Sequence, residues 1–202
     1  MTSIAAVILA GGKGERLGGV NKALLTIGNE RFIDRAMAVT EGCAPRLLAI
    51  GRSQFEVPEG LVQVHDLDTG YAGPLAGVAA AVDHLASSPP KLLFSLAVDT
   101  PLFPPDFLAR ALPLLDNAPA VIACYGDQDY PTNAMWNFSA LSALPDGLRT
   151  GTAPRSLKRL GESLGAVQLD YSSVNDVDPF RNANTLEDLA FLRNVEARNT
   201  RG

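Results

Sequence analysis

Short apolar runs recur along this chain, separated by amphipathic or alanine-rich segments of helical length. Residues 4–9 (IAAVIL) carry no polar side chain, and residues 92–98 (LLFSLAV) carry only Ser95. A strand that is apolar at successive positions is buried on both faces, as in a parallel sheet covered by helices on either side. Runs at 47–50, 61–64 and 121–125 read as further strands. Residues 31–40 place Phe32, Ala36 and Val39 on one helical face, with Gly42 as a stop signal. Residues 74–86 open on Pro74, which suits a first turn, and run through an alanine-rich body toward Pro89 and Pro90. A third helix is expected over 104–115. The alternation predicts an α/β fold: a single three-layer domain over 1–202, a mostly parallel sheet with helices on both faces, Rossmann-like in its winding. A chain of 202 residues buries roughly 70% of the surface its unfolded form exposes, so it needs no cross-link to hold it together.

The two cysteines, Cys43 and Cys124, lie far apart and outside any CxxC pattern, so neither a disulfide framework nor a zinc site is indicated. Cys124 sits in an apolar run and reads as a small buried hydrophobe. The opening MTSIAAVILAGG has no basic segment and no small-residue cleavage site, and no uninterrupted apolar run has the length of a membrane span. A cytoplasmic protein with no membrane partner is expected. The net charge of −5 argues against nonspecific nucleic-acid binding, which draws its affinity from a basic excess. Any phosphate handled here is expected on a small molecule held at one local basic site.

In open α/β sheets ligands bind beyond the carboxyl ends of the strands. The first strand runs into Leu9-Ala10-Gly11-Gly12 and on through Arg16 to Lys22, with five glycines over residues 11–19. Glycines let the backbone approach a ligand and turn successive N–H groups into an anion-binding concavity, while an arginine fork and a lysine point charge supply neutralisation. The segment is neither a Walker A loop nor a GxGxxG fingerprint, and a flexible turn is the plainer alternative. Asp99 follows the run 92–98 directly. A carboxylate there suits Mg²⁺, which takes one or two protein carboxylates and completes its shell with substrate phosphates and water. Its other reading is a cap for the helix near Pro104, for which Asp106 is an equal candidate. Asp66, at the end of 61–64, either hydrogen-bonds a base or ribose or caps the loop that leads to Gly73-Pro74. His65 and His84 fit no ligand spacing and read as structural.

These blocks, in this order, resemble the molybdenum cofactor guanylyltransferase family, the MobA-like enzymes of the NTP-transferase superfamily that join GMP to molybdopterin. Residues 9–22 (LAGGKGERLGGVNK) are similar to the signature LAGGxxxRMGxxDK, and Asp66 with 73–77 (GPLAG) to the family's Asp-then-GPLAG block. Residues 98–101 (VDTP) resemble its metal-bearing strand end, 130–132 (YPT) stand where a His-Pro pair is common, and 181–185 (RNANT) resemble the closing NxNT element. The resemblance covers nearly the whole chain. It implies Mg²⁺-dependent transfer of a nucleotide, first of all GMP from GTP, to a molybdopterin-type phosphate acceptor, with pyrophosphate leaving. Leu9, Ala10, Gly11 and Gly12 would contact the nucleotide, Lys22 its phosphates and Asp66 the nucleoside. Asp99 would hold Mg²⁺, Arg16 and Lys22 would offset charge on pyrophosphate, and Asn182 with Asn184 would lie near the acceptor. The nucleotide-binding half would span about 1–105 and the acceptor-binding half about 106–202, with other cofactor-biosynthesis or acceptor proteins as further partners. Asn21 replaces the acid usual before the lysine, and Ala49 stands where an asparagine commonly helps to read the base. A transferase using CTP or another NTP with a different acceptor, or a catalytically silent nucleotide-binding regulator, are the alternatives.

The segment 148–160 (LRTGTAPRSLKRL) gathers Arg149, Arg155, Lys158 and Arg159 in an otherwise acidic chain. On a helix, Arg155, Lys158 and Arg159 would share one face. Together with Asn182 and Asn184, they are expected to receive the acceptor's phosphate end; a solvated helix face is the plainer reading.

Overall fold

The structure, a computed structural model, describes residues 2–11, 18–51, 56–67 and 69–199. In chain order its strands are β1 (Ile4–Leu9), β2 (Thr26–Ile27), β3 (Glu30–Arg31), β4 (Arg46–Ala49), β5 (Val62–Val64), β6 (Leu92–Ala97), β7 (Ala120–Tyr125), β8 (Gln128–Asn137) and β9 (Val167–Asp170). The helices are α1 (Phe32–Val39), α2 (Pro74–Leu85), α3 (Phe107–Ala111), α4 (Phe138–Leu141), α5 (Leu144–Thr150), α6 (Leu157–Leu164) and α7 (Leu186–Asn199). Seven strands form one sheet in the order β5-β4-β1-β6-β8-β7-β9, while β2 and β3 make a separate antiparallel pair. Within the seven-stranded sheet only β8 runs against the rest.

Alternate residues of the inner strands feed two cores. On one face Ala6 and Ile8 of β1 and Phe94 and Leu96 of β6 pack with α1, α3 and α7; on the other, Val7, Leu9 and Leu93 pack with α2, α4, α5 and α6. The expected three-layer arrangement is present, and the period of two along strands buried on both sides accounts for it. Among the described residues no helix is long and apolar enough to cross a membrane.

Helix α2 lies unusually close to the sheet. A Cβ at Gly77 would fall 2.9 Å from Leu9 Cδ2 and 3.0 Å from the Ala49 methyl, so the helix settles against β1 and β4 only because position 77 has no side chain. Gly73, at φ 79°, turns the chain into the helix and Pro74 opens it.

The expected helix over 104–115 is shorter. It covers Phe107–Ala111 and tightens into a 3-10 turn over Leu112–Asp116, because Pro113 lacks the N–H that an α-helix needs there. Strand β8 was not expected at all. Ile122 pairs with Ala134 while Ala123 pairs with Tyr130, so residues 131–133 bulge out of register. Pro131, which cannot donate to a ladder, belongs in such a bulge.

Candidate functional site

Pairing registers bring four strand ends to one rim. Leu9 is opposite both Ala49 and Ala97, and Ala49 is opposite Val64. Beyond the strands the backbone stays zipped, with Ala10 N–H donating to the Ala49 carbonyl (2.8 Å) and Val98 N–H to the Leu9 carbonyl (3.1 Å). The residues that follow, Gly11, Gly51, Asp66 and Asp99, therefore share one edge of the sheet. They line a cleft of about 790 Å³ together with Leu9, Ala10, Lys22, Ala49 and Asn182.

Lys22 is carried into the cleft by a 3-10 turn, Lys22–Leu24, which Asn21 caps by accepting from Ala23 N–H (3.0 Å). Its Nζ donates to Asp99 Oδ2 at 2.6 Å and to Asn184 Oδ1 at 2.5 Å. Both members of the Lys22–Asp99 pair are largely covered, each side chain keeping 16% of its surface. Partial burial weakens solvent screening and makes such a pair stronger than an exposed one. Asp99 is also held through its backbone, whose carbonyl accepts from Ala183 N–H (2.9 Å). Asp99 is no helix cap: its carboxylate meets Lys22. Asp106 makes no side-chain cap either and accepts instead from the Tyr171 hydroxyl (2.9 Å).

Gly12 and Arg16 lie outside the described residues. Leu9, Ala10, Gly11, Lys22, Asp66, Asp99 and Asn182 all come together in the cleft, and Asn184 reaches it through Lys22. Asp66 ends β5 and Asp99 ends β6, with β4 and β1 between them. Those are three interstrand steps of about 4.8 Å, so the two strand ends stand roughly 14 Å apart along the rim. The cleft is thus long enough for a base and ribose at one end and a triphosphate at the other.

Among the described residues no three His, Cys, Asp or Glu side chains gather as a metal cage. A single carboxylate at a strand end beside a lysine fits a hard divalent ion that takes most of its oxygens from phosphate and water.

Several cleft residues escaped the sequence reading. His65 was read as structural, yet it is exposed on the cleft wall, with Thr132 and Tyr71 also lining it; its place directly before Asp66 at a strand end was the available signal. His84 lies exposed on α2, away from the cleft. Asn133 is fully buried, and its Oδ1 accepts from Ala97 N–H (2.8 Å) where the β6–β8 ladder has ended at Ser95.

The basic segment behaves otherwise than expected. Ser156 caps α6 by accepting from Arg159 N–H (3.2 Å), so the helix begins at Leu157 and Arg155 lies before it, off the shared face. Arg149 pairs with Asp83 (2.7 Å) and Asp146 (3.1 Å), Lys158 lies 3.6 Å from Asp129, and Arg159 lies 3.6 Å from Glu162. None of the four lines the cleft.

Residues 6–166 match the family model described as MobA-like NTP transferase domain. The molybdenum cofactor guanylyltransferase of Acidiphilium cryptum (strain JF-5) is 38% identical over 186 residues, covering 91% of each chain. That of Rhodobacter capsulatus is 35% identical over 193 residues, covering 93% of each. Among solved structures, molybdopterin-guanine dinucleotide biosynthesis protein A from Archaeoglobus fulgidus superposes with a TM-score of 0.71 at 20% identity, over 96% of this chain and 99% of that one. A glycine-led strand end, a lysine set against a strand-end aspartate and these matches together assign the chain: it belongs to the MobA-like NTP transferases, a family of nucleotidyltransferases.

Proposed function

We propose that the protein transfers GMP from GTP to the phosphate of a molybdopterin-type acceptor in the cytoplasm, with Mg²⁺ at Asp99 and release of pyrophosphate. The relatives' names supply the substrates of this reading. The observation that carries it is the position of Lys22 against Asp99 at one end of a cleft whose other end is Asp66. In-line attack by an acceptor phosphate oxygen on the α-phosphorus needs little covalent work from the protein; positioning and charge neutralisation supply most of the catalysis. Mg²⁺ bound to Asp99 would neutralise charge on the phosphate oxygens. Lys22 takes phosphate. Asp66 meets the nucleoside, and Arg16 joins Lys22 in neutralising the departing pyrophosphate. Asn182, which lines the cleft, lies near the acceptor in this reading. The acceptor-binding half, about 106–202, would also be the side that meets proteins delivering or receiving the cofactor.

Ala49 favours a second reading. Its methyl group sits on the cleft wall near the nucleoside end and supplies no hydrogen bond to guanine, so another base, cytosine among them, remains open to this site. Pyrophosphate release from GTP, CTP, ATP and UTP, each with Mg²⁺ and molybdopterin, decides between them. Release with GTP alone supports the proposal, release with CTP alone replaces the base, and release with none removes the activity.

A further inference from the structure

Asp188 does not line the cleft, yet its carboxylate gathers the segment that holds the Lys22–Asp99 pair. Its Oδ2 accepts from Asn184 N–H (3.2 Å), Thr185 N–H (3.0 Å) and the Thr185 hydroxyl (2.9 Å), and its Oδ1 from Arg181 Nε (3.2 Å) and Nη2 (2.9 Å). Thr185 Oγ1 in turn accepts from Asp188 N–H (3.0 Å), a reciprocal arrangement that closes the first turn of α7. The segment so tied grips the pair twice. Ala183 N–H holds the Asp99 carbonyl, and Asn184 Oδ1 holds Lys22 Nζ.

An ammonium has three N–H groups and no acceptor. Asp99 and Asn184 take two of them, which leaves one for a phosphate oxygen. Asn184 is neutral and would keep its hold on the lysine if the Asp99 carboxylate took a metal. A lysine stem is flexible, and a site that has already ordered it loses less entropy when the phosphate arrives. We propose that Asp188 is a positioning residue: by fixing Asn184 it sets where Lys22 Nζ waits, and through that lysine the affinity for the triphosphate. The inference rests on the reading of Lys22 as a phosphate ligand.

The plainer role of Asp188 is to cap α7, and a double-mutant cycle separates the two. GTP binding with Mg²⁺ and no acceptor would be measured by calorimetry on the full chain, alongside the melting temperature of each variant. Asp188→Ala and Asn184→Ala should each weaken binding by about three- to tenfold, the lower part of the range of coupling between residues in one network. Asn184→Ala leaves the carboxylate of the cap in place, so it keeps the measurement available if Asp188→Ala does not fold. In the Lys22→Met background neither change should weaken binding further, because the lysine they position is gone. Ser156→Ala removes the cap of α6 and should lower the melting temperature while leaving the affinity alone. Wild-type affinity in Asp188→Ala or in Asn184→Ala, or losses that add fully to that of Lys22→Met, would overturn the inference and leave the reading of the site standing. A wild-type protein that binds neither GTP nor CTP, or a Lys22→Met variant that binds as tightly as wild type, would overturn both.

Discussion

Lys22 and Asp99 are separated by 77 positions in the chain and by 2.6 Å in space. Each neutralises the other inside a cleft, so each substitution exposes what its partner was offsetting. Asp99→Asn keeps the side chain's shape, and the protein should fold with little change in melting temperature. Metal-dependent transfer should fall at least a hundredfold, the cost typical of removing one preorganised electrostatic contact from a transition state. A near wild-type rate at limiting Mg²⁺ would show that the metal sits elsewhere. Lys22→Met should weaken GTP binding at least tenfold, about 1.4 kcal/mol, and unchanged affinity would make Lys22 a partner of Asp99 only.

Asn133 supports the same strand end from below. With no surface exposed, it supplies the acceptor for Ala97 N–H two residues before Asp99. Asn133→Ala leaves that buried N–H without a partner and should cost about 1–3 kcal/mol, read as a lower urea midpoint. Turnover should fall more than GTP affinity does, because the strand end that carries Asp99 is what loses support. An unchanged midpoint would mean that the bulge in β8 repacks around the loss.

What could be read from the residues depended on range. β1 and β6 were legible because both faces are buried and every position but Ser95 is apolar. Asp66 and Asp99 were legible as cleft residues because strand ends in this architecture share one rim, and Lys22 because it closes the glycine-rich segment that follows β1. β8 was not, since its first half, QDYPT, is polar and contains Pro131, and its pairing with β6 and β7 is a tertiary choice. Nor was Asn133, whose partner is a backbone N–H group that carries no signature in sequence; Asp188 did carry one, the Thr185-x-x-Asp188 spacing of a capping box, which went unread. The expected helical face shared by Arg155 and Lys158 failed on a local competitor, the Ser156 cap.

Asp188 also makes stability depend on pH. Burial raises its carboxyl, but the Arg181 and Thr185 hydrogen bonds and the N–H groups of Asn184 and Thr185 outweigh that, so it is held below the usual carboxylate range. A carboxyl lowered in the folded state contributes stability above its unfolded value, near 3.9, and loses it as pH falls through the folded value. The stability gap between wild type and Asp188→Ala should therefore be full at pH 7 and narrow progressively below about pH 4. Urea midpoints across that interval measure it. A gap that stays constant down to the acid transition would show that Asp188 acts through its shape alone.

The basic segment now divides into charges already matched and one that is not. Arg149, Lys158 and Arg159 each face a carboxylate, whereas Arg155 makes no ion pair among the described residues. Two positions before it, the Ala153 carbonyl accepts from the Tyr71 hydroxyl (3.0 Å), and Tyr71 lines the cleft. That bond ties the 153–155 turn to a residue of the cleft wall. An unmatched guanidinium there suits a phosphate, which it meets with a planar fork. Arg155→Ala should raise the KM for the molybdopterin acceptor by about tenfold, the loss of one charge-assisted hydrogen bond, and leave the KM for GTP unchanged. Lys158→Ala, its charge already facing Asp129, should change neither. Steady-state kinetics with each substrate varied in turn distinguish the outcomes. An unchanged acceptor KM in Arg155→Ala would return that side chain to the solvated surface, and a raised KM for GTP instead would move it to the nucleotide's end of the cleft.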